Sequence, residues 1–231
     1  MKKTLLLLLA LPLVFASCKK EGCMDEDAVN YDPEAGKEGA CNYEPTLTVN
    51  GSNPDTVEVG STYTDAGATA TNSYGTEITV DTDLSAVNTS EVGSFQITYT
   101  ASNEHGTVTA TRDVEVVMGQ SGWLGSWTVT NDCDMLQFPL AADPSISAGV
   151  NENEIVIDNM FTFIGGTATG TIDGQTITIP QQTINIQFGD IIFQGSGTIN
   201  NIGTQIIIDY AYENTTPTIG GIGACQATYE Q

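Results

Sequence analysis

The stretch Ser94-Phe95-Gln96-Ile97-Thr98-Tyr99-Thr100-Ala101-Ser102 (residues 94–102) decides the fold class of this chain. Its large apolar residues, Phe95, Ile97 and Tyr99, alternate with polar ones, which is the two-residue period of a strand with one buried face. Similar alternating runs follow along the chain, and no segment has the period of a helix. The sequence therefore predicts an all-β protein.

The residues after this strand predict a hairpin. Asn103-Glu104-His105-Gly106 forms the turn, with Gly106 able to adopt positive φ, and a second strand is expected at 107–117. Its inward phase is apolar except at Arg112. His105 is the only histidine, and because no partner lies at useful spacing we predict a solvated turn residue rather than a catalytic or metal-binding one.

Residues 46–118 are predicted to form one β-sandwich. Short strand candidates separated by turn signals about every ten residues are typical of an Ig-like arrangement. The remaining candidates in this region are 46–50, 56–59, 68–71 and 77–80.

Two segments of this sandwich resemble a known module. The run Val57-Glu58-Val59-Gly60-Ser61-Thr62-Tyr63-Thr64-Asp65-Ala66-Gly67-Ala68-Thr69-Ala70 looks like the opening of a bacterial Ig-like domain, and residues 92–102 match its later strand pair. The module recurs in certain pesticidal crystal proteins and in many surface proteins. The resemblance implies a spacer or adhesion unit without catalytic residues.

Residues 119–122, Gly-Gln-Ser-Gly, are predicted to be a short flexible linker to a second β-domain at 123–231. Runs such as 176–179 and 183–188 alternate cleanly, and eight or nine antiparallel strands are expected. Short connections favour an up-and-down barrel or meander, because closure removes exposed edges.

The first strand of this domain contains Gly125-Ser126-Trp127, a Gly-x-Trp that resembles lipocalin-like barrels. The resemblance implies that Trp127 plugs one end of the barrel. Two interiors remain open, a solid core of Ile and Phe side chains or a cavity for a ligand. Trp123 is the tryptophan that we predict to be exposed.

Residues 18–45 form an acidic segment bracketed by cysteines. The pattern Gly22-Cys23-Met24-Asp25, then Asn30-Tyr31-Asp32-Pro33 and finally Cys41-Asn42-Tyr43 resembles a motif of secreted and surface bacterial proteins. Asp25, Asp27 and Asp32 are candidate calcium ligands, although their spacing departs from the usual calcium loop. The interpretation that the sequence favours is a disulfide-tied stalk with solvated acids and no cofactor, and calcium binding by these acids is the alternative.

The N-terminus reads as a lipoprotein signal peptide at 1–17. Lys2 and Lys3 precede an apolar run of 12 residues from Leu5 to Ala16, too short for the roughly 20 residues of a membrane span. Cys18 follows directly and resembles the lipidated cysteine of a lipobox, whereas the alternative is an ordinary signal with a chance cysteine. Lys19 resembles the sorting signal for the outer membrane, so the expected location is the cell envelope, with the membrane reached through Cys18.

The other four cysteines predict disulfides and an oxidising compartment. Four cysteines allow three pairings, and the segments favour Cys23 with Cys41 and Cys133 with Cys225. Zinc binding by reduced thiols is the alternative, but no C-x-x-C spacing supports it.

Composition excludes a nucleic-acid partner. The chain has 6 basic and 29 acidic residues, and removal of 1–17 takes two lysines and no acid, which leaves 4 basic against 29 acidic residues and a net charge of −25. Nucleic-acid binding requires clustered Lys and Arg.

Motifs for catalysis are missing from the sequence, which contains no G-x-S-x-G, H-E-x-x-H, P-loop or Rossmann fingerprint. Acids such as Glu152, Glu154 and Asp158 read as surface residues rather than a glycosidase pair. We therefore expect a non-catalytic outer-membrane or cell-surface lipoprotein. In it, an Ig-like spacer presents the C-terminal β-domain for binding or adhesion to a glycan or protein. The alternatives are a carrier of a small apolar ligand and a purely structural envelope protein.

Overall fold

A computed structural model describes residues 19–133, 138–186 and 189–231 of the chain. The fold is all-β, as predicted, with sandwich-like sheets and a nearly closed barrel. The described part of the chain falls into two compact units: residues 19–48 with 68–81 and 100–109, and the described residues of 49–67, 82–99 and 110–231. The predicted signal peptide and the predicted lipidation site Cys18 lie outside the described residues.

The acidic N-terminal segment holds two short parallel strands, β1 (Glu21–Gly22) and β2 (Lys37–Glu38). The Cys23–Cys41 disulfide ties the segment together, and Cys23 is buried. So small a segment has little apolar core, and the covalent link takes over part of the stabilisation that packing supplies elsewhere.

The Ig-like region contains seven strands in two sheets. One sheet has the order β3-β5-β6 and the other the order β4-β9-β8-β7. The alternation at 94–102 is realised in β8, where Ile97 and Tyr99 are fully buried. The strands are β3 (Thr46–Val49), β4 (Asp55–Glu58), β5 (Ala68–Thr71), β6 (Glu77–Ile78), β7 (Val80–Asp83), β8 (Gly93–Asn103) and β9 (Gly106–Val117).

The predicted β8–β9 hairpin is present, but Gly106 serves a different purpose from the one expected. Its φ does not lie in the left-handed region. Instead the Glu44 side chain packs against it, with Glu44 Cγ 2.6 Å from where a Cβ of residue 106 would lie. The glycine permits this close approach rather than a special turn conformation.

The C-terminal domain is a single antiparallel sheet in which each strand from β12 to β18 pairs with the next. Its strands are β10 (Gly125–Ser126), β11 (Thr128–Asn131), β12 (Ser145–Ala148), β13 (Glu154–Phe161), β14 (Gly165–Asp173), β15 (Thr176–Ile186), β16 (Gly189–Ile199), β17 (Gln205–Asn214) and β18 (Gly221–Glu230).

The two edge strands of this sheet, β10 and β11, are consecutive in the chain. Gly125 pairs with Ile146 of β12, whereas Val129 pairs with Tyr229 of β18. Between the two strands, the Trp127 N–H donates to the carbonyl of Pro144 at 3.0 Å. Residues 125–131 thus pair with β12 on one side and with β18 on the other, which nearly closes the sheet into an up-and-down barrel.

Side chains fill the inside of the barrel. Phe161 and Phe193 meet edge to face with their ring centroids 5.7 Å apart. Glycines make room for large neighbours: a Cβ on Gly197 would lie 2.8 Å from the Cα of Ile208. The interior is therefore a solid core of the kind that small eight-stranded barrels allow.

The predicted flexible linker is wrong. Residues Gln120–Trp123 form a 3₁₀ helix, and the Gln120 side chain donates to the carbonyl of Glu154 at 2.7 Å. Ser121 donates to Glu58 at 2.9 Å. The prediction that Trp123 is exposed is also wrong, since this residue is 0% exposed in the barrel core. The junction is a packed turn.

Candidate functional site

The three calcium candidates do not come together. Asp25 accepts a hydrogen bond from the Tyr43 hydroxyl at 2.6 Å and another from the Asp27 backbone N–H at 3.0 Å. These bonds, the one from Tyr43 first, hold the pKa of Asp25 below its usual value. The Asp32 carboxylate pairs with Lys20 at 2.8 Å, and its hydrogen bond with that lysine lowers its pKa.

In the part of the chain that the structure describes, one group of three potential metal ligands lies within 4.8 Å, and it consists of Asp132, Cys133 and Cys225. These two cysteines form a disulfide, so they offer no thiolate to a metal. The geometry therefore gives neither calcium nor zinc a gathered set of ligands among the described residues.

Both expected disulfides are present. Cys133–Cys225 joins residues 92 positions apart. Cys225 lies in β18, and Cys133 follows β11, the strand that pairs with β18. The bridge thus connects the two ends of the barrel sequence at the seam where the barrel closes.

Trp127 does lie in the barrel core, but it is one of two tryptophans there. Its indole N–H donates to the carbonyl of Trp123 at 3.2 Å, and the Trp123 indole donates to the carbonyl of Gly174 at 3.3 Å. Gly174 lies in the tight turn between β14 and β15. Trp123 therefore fills the barrel at the end where that turn lies, a role that the sequence assigned to Trp127 alone.

Arg112, the residue that interrupts the apolar phase of β9, is buried with a partner. It is 0% exposed, and its Nη1 lies 2.6 Å from Asp65 Oδ1. The Tyr99 hydroxyl donates to the same carboxylate oxygen at 2.7 Å. Burial first, and this bond second, raise the pKa of Tyr99 to about 12. Because the guanidinium is enclosed, this cluster stabilises the Ig-like region and offers no charged group to a substrate.

A concavity lies on the outside of the barrel, across β15 to β18. We call it the outer groove; it has a volume of about 440 Å³. Its exposed residues are mostly small or polar, so the backbone of the sheet is approachable. They are Thr178, Pro180, Gln194, Ser196, Asp209, Ala211 and Ala224.

A second depression of about 160 Å³ adjoins the outer groove and shares Gln194 and Ala211 with it. Ile222, which lines it, is 83% exposed. An isoleucine so exposed, together with Ala211 and Ala224, makes an aliphatic strip on an otherwise polar surface. Such strips mark interaction sites when they are contiguous.

A third concavity, the tip pocket, lies at one end of the Ig-like region and has a volume of about 200 Å³. Its lining includes the hairpin residue His105, whose side chain is 28% exposed and lies 3.4 Å from Glu104. The lining residues are Tyr43, Asn72, Ser73, Tyr74, Ile78, Asn103, Glu104 and His105. His105 was predicted as a solvated turn residue; the turn is present, and the side chain contributes to a pocket.

Two of the acids considered for glycoside hydrolysis are engaged in surface hydrogen bonds. Asp158 accepts a bond from Ser147 at 2.9 Å, and Glu154 accepts one from Asn151 at 2.9 Å. Both bonds join neighbouring residues of the barrel surface.

Comparison with known proteins identifies the Ig-like region. Residues 47–116 match the family model of the bacterial surface protein, Ig-like domain. No curated protein matches the chain. Within residues 19–133, 138–186 and 189–231, no helix is long and apolar enough to cross a membrane.

One solved structure similar to the chain is that of a lipoprotein from Bacteroides thetaiotaomicron. It shares 16% sequence identity and covers 81% of this chain and 100% of its own, with a TM-score of 0.29. The family match places residues 47–116 with the Ig-like domains of bacterial surface proteins, and this indicates a cell-envelope protein.

Proposed function

We propose that the protein is a non-catalytic lipoprotein of the outer membrane or cell surface that binds a protein partner through the outer groove. Lipid on Cys18 anchors it, the acidic segment and the Ig-like domain space it from the membrane, and the barrel presents the groove. The observation that carries the proposal is the aliphatic strip of the outer groove on the exposed face of β15 to β18.

The chemistry of the groove favours a protein over a glycan. Its apolar part is aliphatic, formed by Pro180, Ala211, Ala224 and Ile222. Sugar rings stack on the faces of aromatic side chains, whose negative face attracts C–H groups. Of the aromatic residues that line the groove and its adjoining depression, Tyr210 and Phe193 are buried and Tyr212 is half-buried. Aliphatic side chains of a partner would fit the small residues and bury their apolar surface.

The charge around the outer groove further restricts which proteins can bind there. Asp209 lies within the groove and Glu213 borders the adjoining depression, on a chain with a formal net charge of −23. Complementary charge steers association and suppresses wrong partners. The expected partner therefore presents aliphatic residues flanked by Lys or Arg.

The carrier alternative has less support. The concavities described above open on outer surfaces, whereas the inward positions of the barrel, among the described residues, belong to a buried cluster that includes Phe161, Phe193 and Tyr229. A pocket for a drug-sized ligand needs roughly 300 Å³ or more of concave space, which this filled interior does not offer.

A photo-crosslinker placed at Gln194 in the full chain on living cells tests the groove. We expect one protein to be captured, and the purified partner to bind the wild-type chain. Ala211→Arg, which fills the groove, should weaken that binding by about tenfold or more, as loss of a central contact does.

The matched control is Val150→Ser, since Val150 is an exposed aliphatic residue outside the groove. It should leave the affinity unchanged. Failure of Gln194 to capture any protein, or equal binding by Ala211→Arg and the wild type, would refute the groove as the binding site.

The anchor has its own test. Cys18→Ala should abolish incorporation of radiolabelled palmitate and release the protein from the envelope fraction. Continued labelling of the variant would show that lipid is attached elsewhere.

A further inference from the structure

The tip pocket is built from two turns with the same sequence pattern. Asn72-Ser73-Tyr74-Gly75 lies just after β5, and Asn103-Glu104-His105-Gly106 joins β8 to β9. Each reads Asn, any residue, an aromatic ring, Gly. Turns with Asn in the first position are fixed by bonds from the Asn side chain to the following backbone.

Those bonds are present in both turns. Asn72 Oδ1 accepts the N–H groups of Tyr74 at 3.0 Å and Thr76 at 2.9 Å. Asn103 Oδ1 accepts the N–H groups of His105 at 2.8 Å and Gly106 at 3.0 Å. The backbone that carries each ring is therefore fixed before any ligand arrives.

Tyr43 forms a third side of the tip pocket, and hydrogen bonds hold this residue as well. The Asn103 side-chain amide donates to the carbonyl of Tyr43 at 2.9 Å, and the Tyr43 hydroxyl donates to Asp25 at 2.6 Å. A ligand that enters this pocket meets walls that are already ordered, so binding costs little conformational entropy.

Tyr74 indicates the chemistry of the ligand. Its side chain is 89% exposed, so a broad aromatic face is offered to solvent at the mouth of the pocket. The negative face of the ring attracts C–H groups, and sugar rings present such groups on one side with hydroxyls around the rim. Ser73 and Glu104 supply a hydroxyl and a carboxylate for those hydroxyls.

The size of the tip pocket disfavours large ligands, and its charge disfavours anionic ones. A volume of about 200 Å³ is below the range of drug-sized ligand pockets and suits one or two sugar rings with part of the ligand in solvent. Glu104 lines the pocket and Asp25 lies behind Tyr43, so an anionic sugar would be repelled.

We propose that the tip pocket, formed by Tyr43, Tyr74, His105 and their Asn-fixed turns, binds a neutral saccharide. This site is separate from the outer groove and takes a different class of ligand, so it does not depend on the function proposed above.

Saturation-transfer difference NMR on the full chain tests the proposal, with millimolar glucose, galactose, mannose, N-acetylglucosamine and their disaccharides as probes. At least one neutral sugar should receive saturation from the protein. Tyr74→Ala should abolish the effect, and Glu104→Gln should weaken binding several-fold.

Phe163→Ala is the matched control, because Phe163 is also an exposed aromatic residue, 74% accessible, but lies on the barrel. It should bind the sugar as the wild type does, and so should Ala211→Arg, which disables only the outer groove. The circular dichroism spectrum of Tyr74→Ala should match that of the wild type, since an exposed side chain contributes little to folding.

Three results would overturn the proposal. One is the absence of saturation transfer to every neutral sugar tested. Another is an effect that persists in Tyr74→Ala. The third is a crosslinker at Ser73 that captures a protein on cells while no sugar binds, which would assign the pocket to a protein instead.

Discussion

Replacement of Asp65 by alanine should destabilise the Ig-like region by about 4 kcal/mol. Arg112 is fully buried and loses the carboxylate that lies 2.6 Å from it, and breaking a buried pair by removing one partner costs about 3–5 kcal/mol. The lower end of that range applies, because Asp55 remains 3.9 Å from the guanidinium. Tyr99 also loses its acceptor, which adds about 1 kcal/mol.

Urea unfolding followed by circular dichroism measures this loss. Tryptophan fluorescence reports separately on unfolding of the barrel, because the only two tryptophans, Trp123 and Trp127, lie in the barrel core. Amide hydrogen exchange in β9 should quicken in Asp65→Ala. The control is Asp113→Ala, an exposed aspartate on the same strand that bonds Gln96 at 2.9 Å, with an expected cost below about 1 kcal/mol.

A double variant tests the cause. Arg112→Met in the Asp65→Ala background removes the unpaired charge, and we expect it to recover at least half of the lost stability. The view that this buried pair stabilises the Ig-like region would be refuted by either of two results. One is a fall in unfolding free energy below about 1 kcal/mol for Asp65→Ala, and the other is no recovery in the double variant.

Three further predictions concern the barrel. Burial raises the pKa of Tyr229 to about 12, so the stability that its neutral form contributes is present below pH 10, the usual tyrosine value, and is lost as pH rises to about 12. Phenolate absorbance should show this tyrosine ionising only as the barrel unfolds. Replacing both Cys133 and Cys225 by alanine opens a loop of 92 residues and should lower the unfolding free energy by about 4.5 kcal/mol, whereas an unchanged urea midpoint would contradict the entropic argument. Gly197→Ala places a Cβ against the carbonyl of Ile207 and 2.8 Å from the Cα of Ile208. We therefore expect thermal unfolding to show a fall in the unfolding free energy of about 1–3 kcal/mol, whereas Ser196→Ala on the outer face should change it little.

Local sequence patterns were sufficient for most strands and for the disulfides. They did not predict β12 at Ser145–Ala148, and the described residues of the runs 176–179 and 183–188 belong to one strand, β15. The alternation at 94–102 fixes which residues of β8 face inward, since neighbouring side chains on a strand point to opposite faces. The cysteine positions pair within modules because each pair brackets one continuous segment. The barrel followed from short connections, which force neighbouring strands to pair in order.

The junction could not be predicted from composition. Gly119-Gln120-Ser121-Gly122 has the composition of a flexible linker, but its glycines make room for other side chains. The Glu58 side chain lies against Gly119, and the Met118 sulfur lies against Gly122. Which side chains approach a glycine depends on tertiary packing, and the residues next to it in the sequence do not reveal this.

Charged and polar clusters were missed for the same reason. Arg112 looked like an interruption because its partner, Asp65, lies 47 positions earlier in the chain. The tip pocket had a signal, the repeated pattern at Asn72 and Asn103, but only the pairing of the strands brings the two turns to one pocket. The small residues of the outer groove, such as Ala211, carry no signal in any single strand.

The Cys133–Cys225 bridge has a mechanical consequence if the protein is held, as proposed, by a membrane at one end and by a partner on the outer groove. If a pulling force on the outer groove opened the barrel, the bridge would let the load bypass most of the 92 positions between these cysteines, which are about 300 Å of extended polypeptide. The load would pass from Cys133 through the disulfide to Cys225 and reach Ala211 of the groove along the shorter arm of the loop, so only that arm could extend. The bridge therefore limits how far the partner can move from the membrane under load, even when the sheet itself has failed.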